Sequence, residues 1–141
     1  MYRISKTFQF SASHQLDYLP NDHKCSRLHG HNYKVTLVLR SEKLDSSHFV
    51  KDFGELSGFG EWLKARFDHR HLNDCLVILE NPHTQPRGAK SGSGGMDQRY
   101  SIAPTSENLA RYIFDTWKQV YPQLESVRVS EGDYTWAEYS E

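Results

Sequence analysis

Long hydrophobic runs are missing from this chain of 141 residues. No stretch approaches the ~20 consecutive apolar residues of a bilayer-spanning helix, so no membrane partner is expected. Cysteine is scarce, with only Cys25 and Cys75. A disulfide framework is therefore not needed to explain the fold, and free thiols in a reducing compartment are the expectation. Charge of one sign is also lacking: 17 basic against 18 acidic side chains leave a formal charge of -1. That balance argues against a general nucleic-acid coat binder. The glycine run Gly88-Ala89-Lys90-Ser91-Gly92-Ser93-Gly94-Gly95 lacks the Gly-Lys-Ser/Thr ending of a phosphate-binding loop, and no dinucleotide fingerprint occurs. The N-terminus opens on polar-apolar alternation instead of a signal peptide, which points to a cytoplasmic protein. The length suits one compact domain.

What is present is periodicity that ends in histidines. From Ile4 to His14 the even positions read Ile4, Lys6, Phe8, Phe10, Ala12, His14, a half-buried strand with His14 closing the core-facing row. From His29 to Leu39 the odd positions read His29, His31, Tyr33, Val35, Leu37, Leu39. Again histidines close an apolar row. The segment Asp17 to Leu28 holds Pro20, Asn21 and Asp22 and predicts a long connection between antiparallel neighbours.

After Asp52 the period becomes helical. Phe53, Leu56, Phe59, Leu63 and Phe67 form one stripe, with Asp68 to Asn73 predicted as the loop that leaves the helix. A second helix is predicted from about Thr105, where Thr105 or Ser106 can cap it, to Pro122, with Leu109, Tyr112, Ile113, Phe114, Trp117 and Val120 buried. Val127, Val129 and Glu131 then share a strand face, Gly132-Asp133 predict a tight turn, and Tyr134, Trp136 and Glu138 begin a last strand. The order strand, strand, helix, helix, strand, strand predicts an α+β fold: a four-stranded antiparallel sheet with two helices packed on one face. Between the helices, the stretch of about 82–103 reads as a flexible glycine-rich loop without regular structure.

Three imidazoles converging from two strands make a catalytic metal site, because zinc takes neutral imidazole nitrogens and three protein ligands leave a position for substrate. His14, His29 and His31 are the candidates; His48 and His83 read as ordinary surface histidines. Cys25 would close the site only as a fourth ligand of a structural centre; three histidines already suffice, and a free thiol beside them is better placed as a proton-transfer group or nucleophile. In Asp68-His69 the carboxylate can orient an imidazole for proton transfer, with His71 competing for that role. Glu131, in an apolar row, is costly unless paired or used to grip a guanidine-like ring edge; the alternative is an exposed strand end where the alternation has lapsed. Glu107 suits the first turn of a helix with no substrate at all. Lys24, Arg27 and Arg70 could meet a phosphate or be solvated surface charge.

Phe10-Ser11-Ala12-Ser13-His14, Cys25-Ser26-Arg27-Leu28-His29-Gly30-His31-Asn32-Tyr33, Val50-Lys51-Asp52-Phe53, Phe67-Asp68-His69-Arg70-His71-Leu72-Asn73 and Pro104-Thr105-Ser106-Glu107-Asn108-Leu109 together resemble the 6-pyruvoyltetrahydropterin synthase family, most closely its bacterial 6-carboxytetrahydropterin synthase branch, which feeds queuosine and other deazapurines. The resemblance implies the tunnelling fold, with sheets joined into a barrel in a homo-oligomer, a hexamer built as a dimer of trimers. It implies Zn²⁺ on His14, His29 and His31, Cys25 as general base, Asp68 and His69 as the acid/base pair, and Glu131 on the pterin ring with Thr105, Ser106 and Glu107 near the same pocket. The implied reaction turns 7,8-dihydroneopterin triphosphate and water into 6-carboxytetrahydropterin, acetaldehyde and triphosphate. The three residues between Cys25 and His29 match that branch; the alternatives are 6-pyruvoyltetrahydropterin from the same substrate, or a zinc- or pterin-binding protein without turnover. The glycine-rich stretch departs from the family's compact link between helices.

Overall fold

The computed structural model describes residues 1–79, 90–91 and 99–141. Strands β1 (Tyr2–His14) and β2 (His29–Ser41) pair antiparallel along their whole length, from Tyr2 opposite Ser41 to His14 opposite His29. Both follow the alternation: Phe10, Ala12 and His14 are buried on β1, and Tyr33, Val35, Leu37 and Leu39 on β2. Short β3 (Arg70–His71) lies parallel on β1. Strands β4 (Val77–Leu79), β5 (Lys90–Ser91) and β6 (Arg99–Ser101) make a separate sheet in the order β4-β6-β5. Strands β7 (Leu124–Ser130) and β8 (Ala137–Ser140) complete the main sheet, ordered β3-β1-β2-β7-β8.

Helices α1 (Ser57–Phe67) and α3 (Ser106–Trp117) supply the other half of the core, and the single turn α2 (Leu72–Cys75) follows β3. Leu56, Phe59, Leu63 and Phe67, with Leu109, Ile113 and Phe114, form one buried cluster with the inward rows of β1, β2 and β7. The α+β class and the helix-on-sheet layering are as expected. Cys25 and Cys75 are free thiols. Among the described residues no helix is long and apolar enough to cross a membrane.

Several boundaries differ from the expectation. The main sheet has five strands, because Arg70 and His71 reach back to β1 at Ala12 and Ser13 instead of forming a plain loop. The first helix starts later: the Asp52 carboxylate accepts the Gly54 N–H at 2.8 Å and winds Phe53–Leu56 into a 3₁₀ turn, leaving Phe53 exposed. Gly60 is explained by its neighbour, since a Cβ there would stand 2.9 Å from the Phe8 ring. Val120 lies beyond the end of α3 and is exposed.

The last strand begins at Ala137, and Tyr134 and Trp136 stand exposed in the loop before it. That longer loop resets the alternation, so Tyr139 turns inward while Glu138 meets Arg128 at 3.0 Å across the ladder. Strands β5 and β6 fall inside the stretch expected to lack regular structure. Residues 82–89, with His83, and 92–98 of that expected flexible loop lie outside the described residues, while Ile102 at its end is buried and donates its N–H to the Leu76 carbonyl at 2.9 Å.

Candidate active site

His14 and His29 are direct cross-strand partners, and His31, two residues further along β2, faces Ala12. The inward alternation and this register together put three rings on one face, with the small side chain of Ala12 leaving room beside His14. The His14 and His29 Nε2 atoms are 2.9 Å apart, and His31 Nε2 is 3.2 Å from His14 Nε2. One nitrogen from each ring lies within 4.8 Å of the others.

The other ring nitrogens decide what this cluster is for. His14 Nδ1 donates to the Pro104 carbonyl at 2.8 Å and His29 Nδ1 to the Arg27 carbonyl at 2.7 Å. A carbonyl oxygen can only accept, so both hydrogens sit on Nδ1 and both neutral rings aim Nε2 lone pairs at the same space. Two lone pairs at 2.9 Å repel unless a cation lies between them. The donor set thus suits a metal ion that prefers imidazole, and the carbonyl partners fix tautomer and ring angle as a metal site requires. Burial pushes the His31 imidazole below its ordinary pKa, opposed by Glu131 and reinforced by the two neighbouring histidines. His31 is thereby held in the neutral form that ligates metal.

Beside the imidazoles lies the start of α3. Thr105 caps the helix, its Oγ1 accepting the Asn108 N–H at 3.3 Å. Ser106 Oγ donates to Glu131 Oε1 at 3.1 Å, and Glu131 Oε2 lies 3.6 Å from His31 Nε2. Glu131 is therefore a half-exposed carboxylate at the edge of the imidazole cluster, and not a strand end adrift in solvent. Glu107 is exposed on the first turn of α3, where its charge, after burial, helps raise the Tyr18 pKa.

Asp68 and His69 are held from β1. Asp68 Oδ1 accepts the Ser11 N–H at 2.9 Å, and Oδ2 accepts from His69 Nδ1 at 2.9 Å. The His69 N–H donates to the Ser11 carbonyl at 2.6 Å, and the residue adopts a φ of 56°. This left-handed conformation lets neighbouring acid and base side chains meet, which regular structure forbids. His69 lines an open cleft of about 530 Å³ together with His31, Arg70, His71, Ser11 and Asn32. His71, the competitor, has its Nδ1 3.0 Å from Ser13 Oγ. Lys24 and Arg27 lie exposed in the connection before β2.

Cys25 is half-buried in a 3₁₀ turn (Lys24–Ser26). Its carbonyl accepts the Leu16 N–H at 2.9 Å, and its own N–H donates to His23 Nδ1 at 3.1 Å. The thiol turn is thus fastened to the residues that immediately follow His14. Sequence reasoning missed the Pro104 and Arg27 carbonyls and the Ser11 main chain, since a main-chain group has no residue-type signature. It also read Tyr33 as core only. Tyr33 OH is buried with no hydrogen-bond partner among the described residues, its ring lies 5.5 Å from that of His31, and burial first and Glu131 second push its pKa far up.

The Ser11 N–H first, and His69 second, hold the Asp68 carboxyl below the usual carboxylate range. A depressed folded-state pKa stabilises the fold above the unfolded value of ~3.9 and is lost as pH falls through the folded value. Asp68→Asn is therefore expected to lower the denaturation midpoint at pH 7, with the gap to wild type closing below about pH 4. Urea titrations across the acid range check this, and a gap that widens on acidification would contradict it.

The family model described as 6-pyruvoyl tetrahydropterin synthase matches residues 3–141. A putative 6-carboxy-5,6,7,8-tetrahydropterin synthase of Archaeoglobus fulgidus is 31% identical over 135 residues, 96% of this chain and 92% of that protein. A 6-carboxy-5,6,7,8-tetrahydropterin synthase of Synechocystis is 32% identical over 145 residues, covering 99% and 93%. The solved Caenorhabditis elegans 6-pyruvoyl tetrahydropterin synthase superposes with a TM-score of 0.72 at 24% identity, covering 99% of this chain and 95% of that one. This last likeness speaks to the fold.

Proposed function

Since the chain belongs to the 6-pyruvoyl tetrahydropterin synthase family, we propose that it is a tetrahydropterin synthase acting on 7,8-dihydroneopterin triphosphate. The observation that carries this is the cluster of His14, His29 and His31 ring nitrogens beside the Ser106-Glu131 pair. Zn²⁺, when bound to those nitrogens, supplies Lewis acidity that stabilises negative charge on oxygens of the substrate's side chain. Glu131, fixed by Ser106, accepts two N–H bonds from the guanidine-like edge of the pterin ring. Thr105 holds the start of α3 in place, and Glu107 on the same turn lies near the pocket entrance. The Cys25 thiolate removes a carbon-bound proton, and His69, oriented by Asp68, delivers or receives one as triphosphate leaves. In our reading the pocket is completed between subunits of a homo-oligomer, a hexamer of two trimers, in the cytoplasm. Sharing strands between subunits would also cover the outer strands of the sheet, whose main-chain groups a lone domain leaves exposed.

Two products follow from the same residues. The pyruvoyl product is supported by the description of the family model along 3–141 and by the name of the solved fold. The carboxy product is supported by the names of the curated relatives and by the three residues that separate Cys25 from His29. Purified protein given dihydroneopterin triphosphate is expected to release triphosphate and a 6-substituted tetrahydropterin. Acetaldehyde in step with triphosphate assigns the carboxy branch, with a place in queuosine or deazapurine synthesis; triphosphate without acetaldehyde assigns the pyruvoyl branch. No triphosphate release at all would overturn both.

A further inference from the structure

Asn73, outside the metal cluster and outside the acid/base pair, makes two bonds that extend the β1 ladder by one residue. Its Oδ1 accepts the Gln15 N–H at 2.9 Å and its Nδ2 donates to the Gln15 carbonyl at 2.7 Å. A side-chain amide here imitates a neighbouring strand. Gln15 in turn donates from Nε2 to the Ser26 carbonyl at 2.9 Å, and the next residue, Leu16, donates its N–H to the Cys25 carbonyl at 2.9 Å. The two successive carbonyls of the thiol turn are thus both held by donors from a dipeptide whose main chain Asn73 fixes. Asn73 sits on α2, directly after β3 and four residues beyond His69. One short rigid span therefore ties the loop of the acid/base pair to the turn carrying Cys25.

We propose that Asn73, acting through Gln15, is a positioning residue for the Cys25 thiol. The inference rests on the reading that Cys25 is the reacting group. Its chemical logic is that proton abstraction from carbon needs the sulfur held within a few tenths of an ångström of its target, and a surface 3₁₀ turn with free carbonyls would not hold it. Substrate binding, placed on Glu131 and the imidazoles, does not pass through this network.

The test compares wild type with Asn73→Ala and, as a milder change that leaves the Asn73 bonds in place, Gln15→Met. For Asn73→Ala, kcat is expected to fall about tenfold with KM unchanged within about twofold. For both variants metal content is expected to stay at the wild-type level. Amide hydrogen exchange at Leu16 should accelerate in both, while the Val35 and Leu37 amides of the core keep their protection. Asn73→Asp, which keeps the acceptor for Gln15 and loses the donor, should fall between. An unchanged Leu16 exchange rate, or a loss of kcat accompanied by loss of core protection or metal, overturns the proposal. Exchange needs no substrate, so it still tests the network if wild-type protein shows no pterin turnover, an outcome that sinks the reaction assignment instead.

Discussion

Replacing His29 by alanine is expected to strip the protein of its metal and lower turnover by roughly 10³-fold or more, since Lewis-acid stabilisation of a developing charge is worth several kcal/mol. The argument is geometric. His29 Nε2 stands 2.9 Å from its counterpart on His14, closer than the 3.2 Å between His31 and His14. Without it, His14 and His31 retain two nitrogens at 3.2 Å, too few ligands for a tight site. The fold should survive, because His29 is half-exposed at the end of β2 and no core side chain is lost. Metal analysis and activity of the purified variant check this together, and His48→Ala, at an exposed position away from the cluster, serves as the control. A normal rate in His29→Ala would falsify the metal centre as the seat of the reaction.

Cys25→Ala is expected to separate binding from chemistry. The metal stays, since the three imidazoles do not need the thiol, but kcat falls by about 10²- to 10⁴-fold, the usual worth of a positioned proton-transfer group. KM should change little. Cys25→Ser tests the same role with a weaker acid and should recover only a small part of the rate. Should Cys25→Ala instead lose its metal, the thiol would have to act as a ligand, although among the described residues the cluster that could hold an ion comprises His14, His29 and His31 alone. Equal activity in both variants and wild type would remove Cys25 from the reaction. Cys75, raised in pKa mainly by burial and free in the structure, offers the internal comparison.

The sequence disclosed the histidine cluster better than it disclosed the edges of the fold. Histidine parity worked because strand side chains alternate strictly, so His14, His29 and His31 had one face open to them once β1 and β2 paired. Glu131 was singled out by continuing the Val127-Val129 parity one residue past the end of β7, and its partner Ser106 comes from a helix 25 residues earlier with no local pattern joining the two. Alternation failed where the chain left regular structure. The parity of β8 was reset by the loop that carries Tyr134 and Trp136, and β3 was invisible because two residues carry no period. The first helix began late because a capping carboxylate at Asp52 outcompeted the periodic signal of Phe53. Family resemblance, not spacing, singled out His69 over His71. Nothing in the residue types foretold that a left-handed His69 would let Asp68 hold both it and Ser11.

The ladder between β1 and β2 pairs thirteen successive residues and finishes on His14 opposite His29. Slipping it by one would swing His29 and His31 to the opposite side from His14 while still satisfying most main-chain bonds. The three imidazoles therefore act as a checksum on chain alignment. Only correctly aligned molecules can capture the ion, and by mass action the ion withdraws them from the pool of misaligned ones. Refolding with metal present should accordingly raise the yield of active protein, and the metal serves as an inspector of assembly before it serves any substrate.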